Sequence, residues 1–302
     1  MAGAGPARPA ARPGPSGTEY PLTSSGVSDT VPSHAQDHTA TQQTQRGCRM
    51  KLRVLGSSGS QLPGLNLTSF LLDRTVLIDT GSAASMLDFD EQKRVELVLL
   101  SHIHIDHSMG LLLMADNLVG RTKKPIKVLS IPEVLDGLRG HLFNNQVWPD
   151  FTSIPSTKSA VFSLQALREG NPTRAGKYTV TAVKVSHAVP TTGFIIGDGR
   201  SSLLYTGDTR STDRIWQLAR KVRGIRGVII ETSFPNQLQE LACLSGHLTP
   251  QTLRSEIDKS GLKVPFYVYH LKSLYLDRVQ KEIAALKNPQ IRLAVEGATY
   301  TF

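Results

Sequence analysis

Three histidines and one aspartate crowd into six positions, His102-Ile103-His104-Ile105-Asp106-His107, directly after an apolar run. A strand alternates its faces, so His102 and His104 at a strand end are expected to point the same way. The chain is then expected to turn, with Asp106 and His107 opening a helix and Asp106 suited to cap it. Two imidazoles from a strand end, with a carboxylate and a third imidazole one turn on, can surround a pair of metal ions. Imidazole and carboxylate donors suit zinc, manganese or iron. Further donors follow other apolar runs: His187 after Val185-Ser186, Asp208 in Tyr205-Thr206-Gly207-Asp208-Thr209, and His270 after Tyr267-Val268-Tyr269. Each alone would be unremarkable. Together they supply strand-end ligands that one cleft could collect, with Gly207 easing a tight turn beside Asp208.

The elements that must position these groups are legible as short apolar runs ended by turn residues. Strands are expected at 51–55, 67–72, 76–79, 95–101 and 126–130, then at 178–185, 192–196, 202–205, 227–230, 266–269 and 291–295. Helices are expected at 106–118, 132–143, 212–222, 250–260 and 273–286, with 144–176 irregular. The order is strands then helix, twice. Two mixed sheets stacked face to face with helices outside would satisfy the layer rule.

Residues 1–49 are rich in Ala, Gly, Pro, Ser, Thr and Gln and show no period, so disorder is expected there, with one folded domain at 50–302. The chain of 302 residues carries a net charge of +9, nearly all of it in the folded part, which favours anionic partners without identifying one. There is no run of about 18 apolar residues that a membrane span would need. No basic-then-apolar leader precedes the first strand, and Cys48 and Cys243 are the only cysteines. A cytoplasmic protein without a membrane partner is therefore expected.

HIHIDH, a later strand-end His, TGD and a final His resemble the ordered motifs of the metallo-β-lactamase superfamily. The resemblance runs from Met50 to Phe302. It implies an α/β (α+β) fold, the αββα four-layer sandwich, and a two-metal site. His102, His104 and His187 would hold the first ion. Asp106, His107 and His270 would hold the second, with Asp208 bridging. Asp79, in Leu77-Ile78-Asp79-Thr80-Gly81, matches an earlier motif and is expected to fix the tautomer of a ligating imidazole.

Three more segments narrow the chemistry. Glu231-Thr232-Ser233-Phe234-Pro235-Asn236, Gly246-His247-Leu248-Thr249-Pro250 and His270-Leu271-Lys272 closely resemble the class II cyclic nucleotide phosphodiesterases. Ser273 stands where that family often carries Pro. The resemblance implies hydrolysis of cyclic AMP or cyclic GMP by a hydroxide held between two divalent ions, with zinc expected and manganese or iron as alternatives. Asp106 would orient or deprotonate the water. His247, read as standing at a helix N-terminus, would contact the phosphate and protonate the 3′ leaving oxygen. Glu231 would hold His247. The segment from Leu142 to Phe151 looks like that family's substrate-side insertion, in which Trp148 and Phe151 could stack on a purine. His141 and Asn144 could read the base or ribose, and Lys272 could contact the phosphate. A small cyclic nucleotide is thus the expected partner, no nucleic acid partner is expected, and a homodimer stays open. The rival readings are an RNase Z-like endonuclease, a thioester or lactam hydrolase, and a metal-binding module without activity.

Overall fold

The computed structural model describes residues 49–302. The disorder expected for the N-terminal segment therefore lies outside the described residues, Arg49 apart. Strands β1 (Lys51–Gly56), β2 (Ser69–Leu72), β3 (Val76–Thr80), β4 (Leu97–Leu99), β5 (Ile126–Ser130) and β6 (Phe162–Ala166) form the first sheet. Strands β7 (Thr173–Ala175), β8 (Tyr178–Lys184), β9 (Thr192–Gly197), β10 (Ser202–Tyr205), β11 (Ile225–Glu231), β12 (Phe266–Tyr269) and β13 (Ile291–Leu293) form the second. Strand β14 (Thr299–Thr301) returns to the first sheet beside β1.

The two sheets share one plan. β1 to β3 pair antiparallel and β3 to β6 parallel; β8 to β10 pair antiparallel and β10 to β13 parallel. Alternation sends successive side chains of the second sheet to two different cores. Leu203, Tyr205, Ile229, Tyr267 and Tyr269 are buried with the residues of the first sheet. Leu204, Val228, Ile230, Phe266 and Val268 pack outward with Trp216, Leu253 and Val279. Those last three residues belong to helices α5 (Arg214–Ala219), α7 (Pro250–Ser260) and α8 (Leu276–Ala285), numbered in chain order after α1 (Ala83–Met86), α2 (Phe89–Arg94), α3 (Ile105–Leu118) and α4 (Pro132–Gly137), with α6 (Gln239–Ser245) between α5 and α7. Helix α3 lies on β3 and α4 on β5 and β6, which completes the helix–sheet–sheet–helix layering.

Several elements depart from expectation. β6 and β7 fall inside 144–176, where no structure was expected; both are short edge strands with a single neighbour, and such strands carry little apolar signal. The helix expected over 132–143 is α-helical only to Gly137 and continues as a π turn, Leu138–Leu142. Short helices α1, α2 and α6 were not anticipated. α2 nonetheless has a capping box, with Asp88 accepting from Glu91 N and the Glu91 side chain from Asp88 N. No described helix is long and apolar enough to cross a membrane.

The seat of α3 on β3 depends on Gly110. A Cβ there would stand 1.9 Å from the carbonyl oxygen of Thr80. Thr80 Oγ1 also donates to His107 O and accepts from Leu111 N, so neither partner can retreat alone. Gly110→Ala is expected to destabilise the fold by about 1–3 kcal/mol, the usual range for overpacking, measurable as a lower urea midpoint. An unchanged midpoint would contradict this packing.

Candidate metal centre

Every expected ligand leaves the same edge of the sandwich, just beyond the ends of strands that run in one direction. Open α/β sheets place ligands at such an edge. His102 and His104 lie in the connection from β4 to α3, and Asp106 and His107 in the first turn of α3. His187 follows β8, Asp208 follows β10, and His270 comes directly after β12. The cap of α3 is His104, not Asp106; the aspartate sits one residue inside the helix, with its carboxylate toward His270.

The first group is three imidazoles. His104 Nδ1 is 3.0 Å from His102 Nε2 and 3.3 Å from His187 Nε2. His187 gives its Nδ1 proton to Gly246 O at 2.8 Å, so its Nε2 faces the others with a lone pair. Three ring nitrogens thus converge where His104 can supply at most one proton. That arrangement suits a cation.

The second group is Asp106, His107 and His270, whose ligand atoms lie within 4.8 Å of one another. His270 Nε2 is 3.2 Å from Asp106 Oδ2 and 3.0 Å from Asp208 Oδ2. His107 donates from Nδ1 to Asp79 at 2.7 Å, which leaves Nε2 buried without a hydrogen-bond partner, 3.2 Å from Asp208 Oδ2. A lone pair facing a carboxylate oxygen needs a proton or a metal between them. Burial opposes charge on His107, but Asp208 and Asp79 outweigh it and raise its pKa well above the ordinary value. In the metal-free protein a proton fills the gap; a divalent ion could replace it. Burial likewise opposes charge on Asp208, yet His107 and His270 hold its carboxyl well below the usual range. Asp208 Oδ2 is also 4.0 Å from His102 Nε2, so one oxygen stands between the two groups. The donor set fits a pair of divalent cations.

Beyond this cluster lies His247, stacked on the His270 ring at 5.1 Å and edge-on to His187 at 5.0 Å. Its Nδ1 is 2.9 Å from Glu231 Oε1. Glu231 is the last residue of β11 and also accepts from Thr209 N, Leu248 N and Ser233 Oγ. Burial, and then the charge of Asp208, push its carboxyl up to about 8. His247 stands at the end of α6, not at a helix N-terminus. Gly246 turns left-handed, and His247 N reaches back to Ala242 O; α7 starts only at Pro250. Geometry alone would also admit His247 to metal triads with His187 and Asp208 or with Glu231 and His270. Glu231 already occupies its Nδ1.

The remaining expected residues are divided. Asp79 is fully buried at the edge of the cluster, bonded to His107 and Ser101. Lys272 Nζ donates to Gly59 O and lies 3.8 Å from Asp106 Oδ2. The insertion comes after α4, whose last residue, Gly137, packs against Ile103 of the ligand loop. Within it, Asn144 is turned onto its own loop, accepting from Gln146 N and Val147 N. Phe151 is buried in the first core and presents no ring face to a ligand; Trp148 is half-buried against that core, and His141 is exposed.

Several contributors were missed. Tyr205 reaches across from the second sheet to Asp79, and Tyr269 reaches Asp208 beyond a strand of its own sheet. Gly59 lies so close under His270 that a Cβ would stand 2.6 Å from its Nδ1. Tyrosine hydroxyls and a loop glycine carry no spacing signal that would mark them. Asp79 and His270 both have left-handed backbones, φ 50° and 68°. Such conformations are uncommon outside glycine and collect at functional sites.

The family model described as "Beta-lactamase superfamily domain" matches residues 74–261. A "Probable 3',5'-cyclic-nucleotide phosphodiesterase" of Yersinia pestis is 30% identical over 183 residues, 56% of this chain and 52% of that protein. The "3',5'-cyclic-nucleotide phosphodiesterase 1" of Saccharomyces cerevisiae is 26% identical over 213 residues, 58% of this chain and 55% of that protein. The chain spans about half the length of these curated relatives. Among solved structures, unliganded yeast PDE1 is similar with a TM-score of 0.72 at 18% identity, covering 85% of this chain and 100% of that one. The short form of human tRNase Z is similar with a TM-score of 0.61 at 14% identity, covering 83% and 98%. At these identities the structures establish the fold alone.

The buried rings predict how stability follows pH. Burial lowers the pKa of His102, His104, His187, His247 and His270 below the ordinary imidazole value. Below about pH 6.5 the unfolded chain binds protons that these folded rings refuse, so their contribution is present above that pH and lost below it. His107 and Glu231, both raised, act in the opposite sense and are outnumbered. The urea midpoint of the metal-free protein should therefore fall between about pH 7.5 and about pH 5.5. A flat or rising midpoint on acidification would show that the rings are not held neutral.

Proposed function

The chain belongs to the beta-lactamase superfamily, and from that premise we propose that it is a metal-dependent phosphodiester hydrolase acting on a 3',5'-cyclic nucleotide such as cyclic AMP. The observation that carries the reading is His247, which faces the candidate ligands from outside while Glu231 holds its Nδ1 at 2.9 Å. A thioester or lactam hydrolase has no need of that pair. The resemblance of the Glu231, His247 and His270 segments to cyclic nucleotide phosphodiesterases, and the names of the two curated relatives, support it further.

In this reading His102, His104 and His187 hold one ion, Asp106, His107 and His270 the other, and Asp208 serves both. Zinc is proposed; manganese and iron accept the same donors. When bound, the ions would neutralise phosphate charge and make a water acidic enough to attack near neutral pH. Asp106 orients that water from the first turn of α3. Lys272, anchored on Gly59 O, offers its ammonium to a phosphate oxygen. His247 spends its Nδ1 proton on Glu231 and so works through Nε2, the atom placed to give a proton to the departing 3′ oxygen.

An RNase Z-like activity is the second reading, supported by the net charge of +9. The basic cluster Arg121, Lys123 and Lys124, however, lines a cleft of about 510 Å³ with Glu96 and Leu97, where β4 begins. The candidate ligands follow the other end of that strand.

Protein loaded with zinc or manganese should turn over cyclic AMP or cyclic GMP and bis-p-nitrophenyl phosphate but not a precursor transfer RNA. Cleavage of the RNA alone would favour the second reading. His247→Ala should lower the maximal rate by roughly 10²–10⁴ with metal content unchanged, as for loss of a general acid. Loss of metal instead would make His247 a ligand. Asp208→Ala should deplete both ions by elemental analysis, and an unaltered count would remove its bridging role.

A further inference from the structure

Two buried carboxylates beside the cluster are wired alike. Asp79 lies in β3, where the first sheet changes from antiparallel to parallel pairing, and Glu231 ends a parallel strand of the second. Asp79 takes the Nδ1 proton of His107 directly, at 2.7 Å. Glu231 takes that of His247 directly, at 2.9 Å. Each also reaches a second imidazole through a serine. Ser101 Oγ donates to Asp79 Oδ2 at 2.6 Å and lies 2.9 Å from His102 Nδ1. Ser233 Oγ lies 3.2 Å from Glu231 Oε2 and 2.8 Å from His270 Nδ1. All four groups in each chain are buried.

We propose that Ser101 and Ser233 are paired positioning residues, each of which fixes the tautomer of one imidazole, His102 and His270, so that one ring in each candidate metal position presents a lone pair at Nε2. A hydroxyl has a single hydrogen, and a carboxylate can only accept. Ser101 gives its hydrogen to Asp79, so toward His102 its oxygen is an acceptor. Ser233 can give its hydrogen to His270 O, a carbonyl that only accepts, at 3.2 Å, which leaves its oxygen able to accept from His270 Nδ1 at 2.8 Å. Nδ1 of His102 therefore carries the hydrogen, and Nδ1 of His270 carries it whenever a cation rather than a proton meets Nε2. The opposite nitrogens then point inward: His102 Nε2 at His104 Nδ1, and His270 Nε2 at Asp106 and Asp208. A serine that merely satisfied a buried carboxylate would have no reason to end on a ring whose far side meets other metal donors. Here this happens twice, once per metal position.

The inference rests on the two-metal reading, and its test separates the two. Ring ¹⁵N NMR should show His102 as the Nδ1–H tautomer in metal-free wild-type protein, and His270 as that tautomer once zinc is bound. Ser101→Ala should disturb His102 and not His270, and Ser233→Ala His270 and not His102; His247, whose Nδ1 is also 3.2 Å from Ser233 Oγ, responds to the second variant as well. In chelator-competition titrations with zinc, each alanine variant should lose about 10- to 100-fold in affinity at one of two sites and keep the other. Ser101→Thr and Ser233→Thr, which keep the hydroxyl, should recover most of that loss. An Nε2–H tautomer at His102 in the metal-free wild type, or at His270 in the zinc-loaded protein, would overturn the inference, as would alanine variants that bind both ions with wild-type affinity. So would threonine variants no better than alanine. A wild-type protein that shows the His102 tautomer but binds no zinc would instead remove the two-metal reading, and the metal role of the serines with it.

Discussion

The candidate centre is held together by the electrostatics of Asp208. Its carboxylate is buried, and burial opposes its charge. Oδ2 is nonetheless within 3.2 Å of two imidazole nitrogens and at 4.0 Å from a third. Such an anion is tolerable in a protein interior only when surrounded by cations or donors. In the metal-free chain His107 meets the need by binding a proton. Together with burial, the same charge raises Glu231. That oxygen is the one carboxylate atom that stands between the two groups of candidate ligands.

The fold exists to bring that oxygen and its neighbours to one edge. Each sheet begins antiparallel and ends parallel, so the strands that carry ligands finish together. The sheets touch through Tyr205 and Tyr269, whose rings pack with Phe70 at 5.9 and 5.5 Å and whose hydroxyls reach Asp79 and Asp208. The apolar interface and the polar centre are thus continuous: the same side chains fill the core with their rings and meet the carboxylates with their tips. Backbone strain at Asp79 and His270 is stored where this scaffold is best able to hold it.

The site was assembled from two kinds of legibility. Residues 102–107 could be read because their types and spacing are unusual in themselves. His187, Asp208 and His270 could be read only as strand-end residues, and their grouping came from resemblance. The insertion was read less well. Phe151 has an aromatic side chain in a loop, which in sequence is indistinguishable from a stacking platform; burial makes it core. Asn144 has donors and acceptors that a ligand could use, but its own loop consumes them. His247 was placed at the start of a helix because Thr249-Pro250 is a strong start signal, whereas a left-handed Gly246 gives its position to the end of α6.

The sequence by itself determined the order of strands and helices, the alternation that divides the second sheet between two cores, and the donor types suited to a metal. These follow from local periodicity and side-chain chemistry, which every window of the chain carries. Only the tertiary structure decided which nitrogen of each ring faces inward, that Glu231 touches His247, and that Ser101 and Ser233 stand in equivalent places. Those facts depend on contacts such as Glu231–His247, 16 positions apart, and Asp106–His270, 164 apart, and on the direction of single hydrogen bonds. No local pattern encodes them, because each partner's role is fixed by what the distant one can donate or accept.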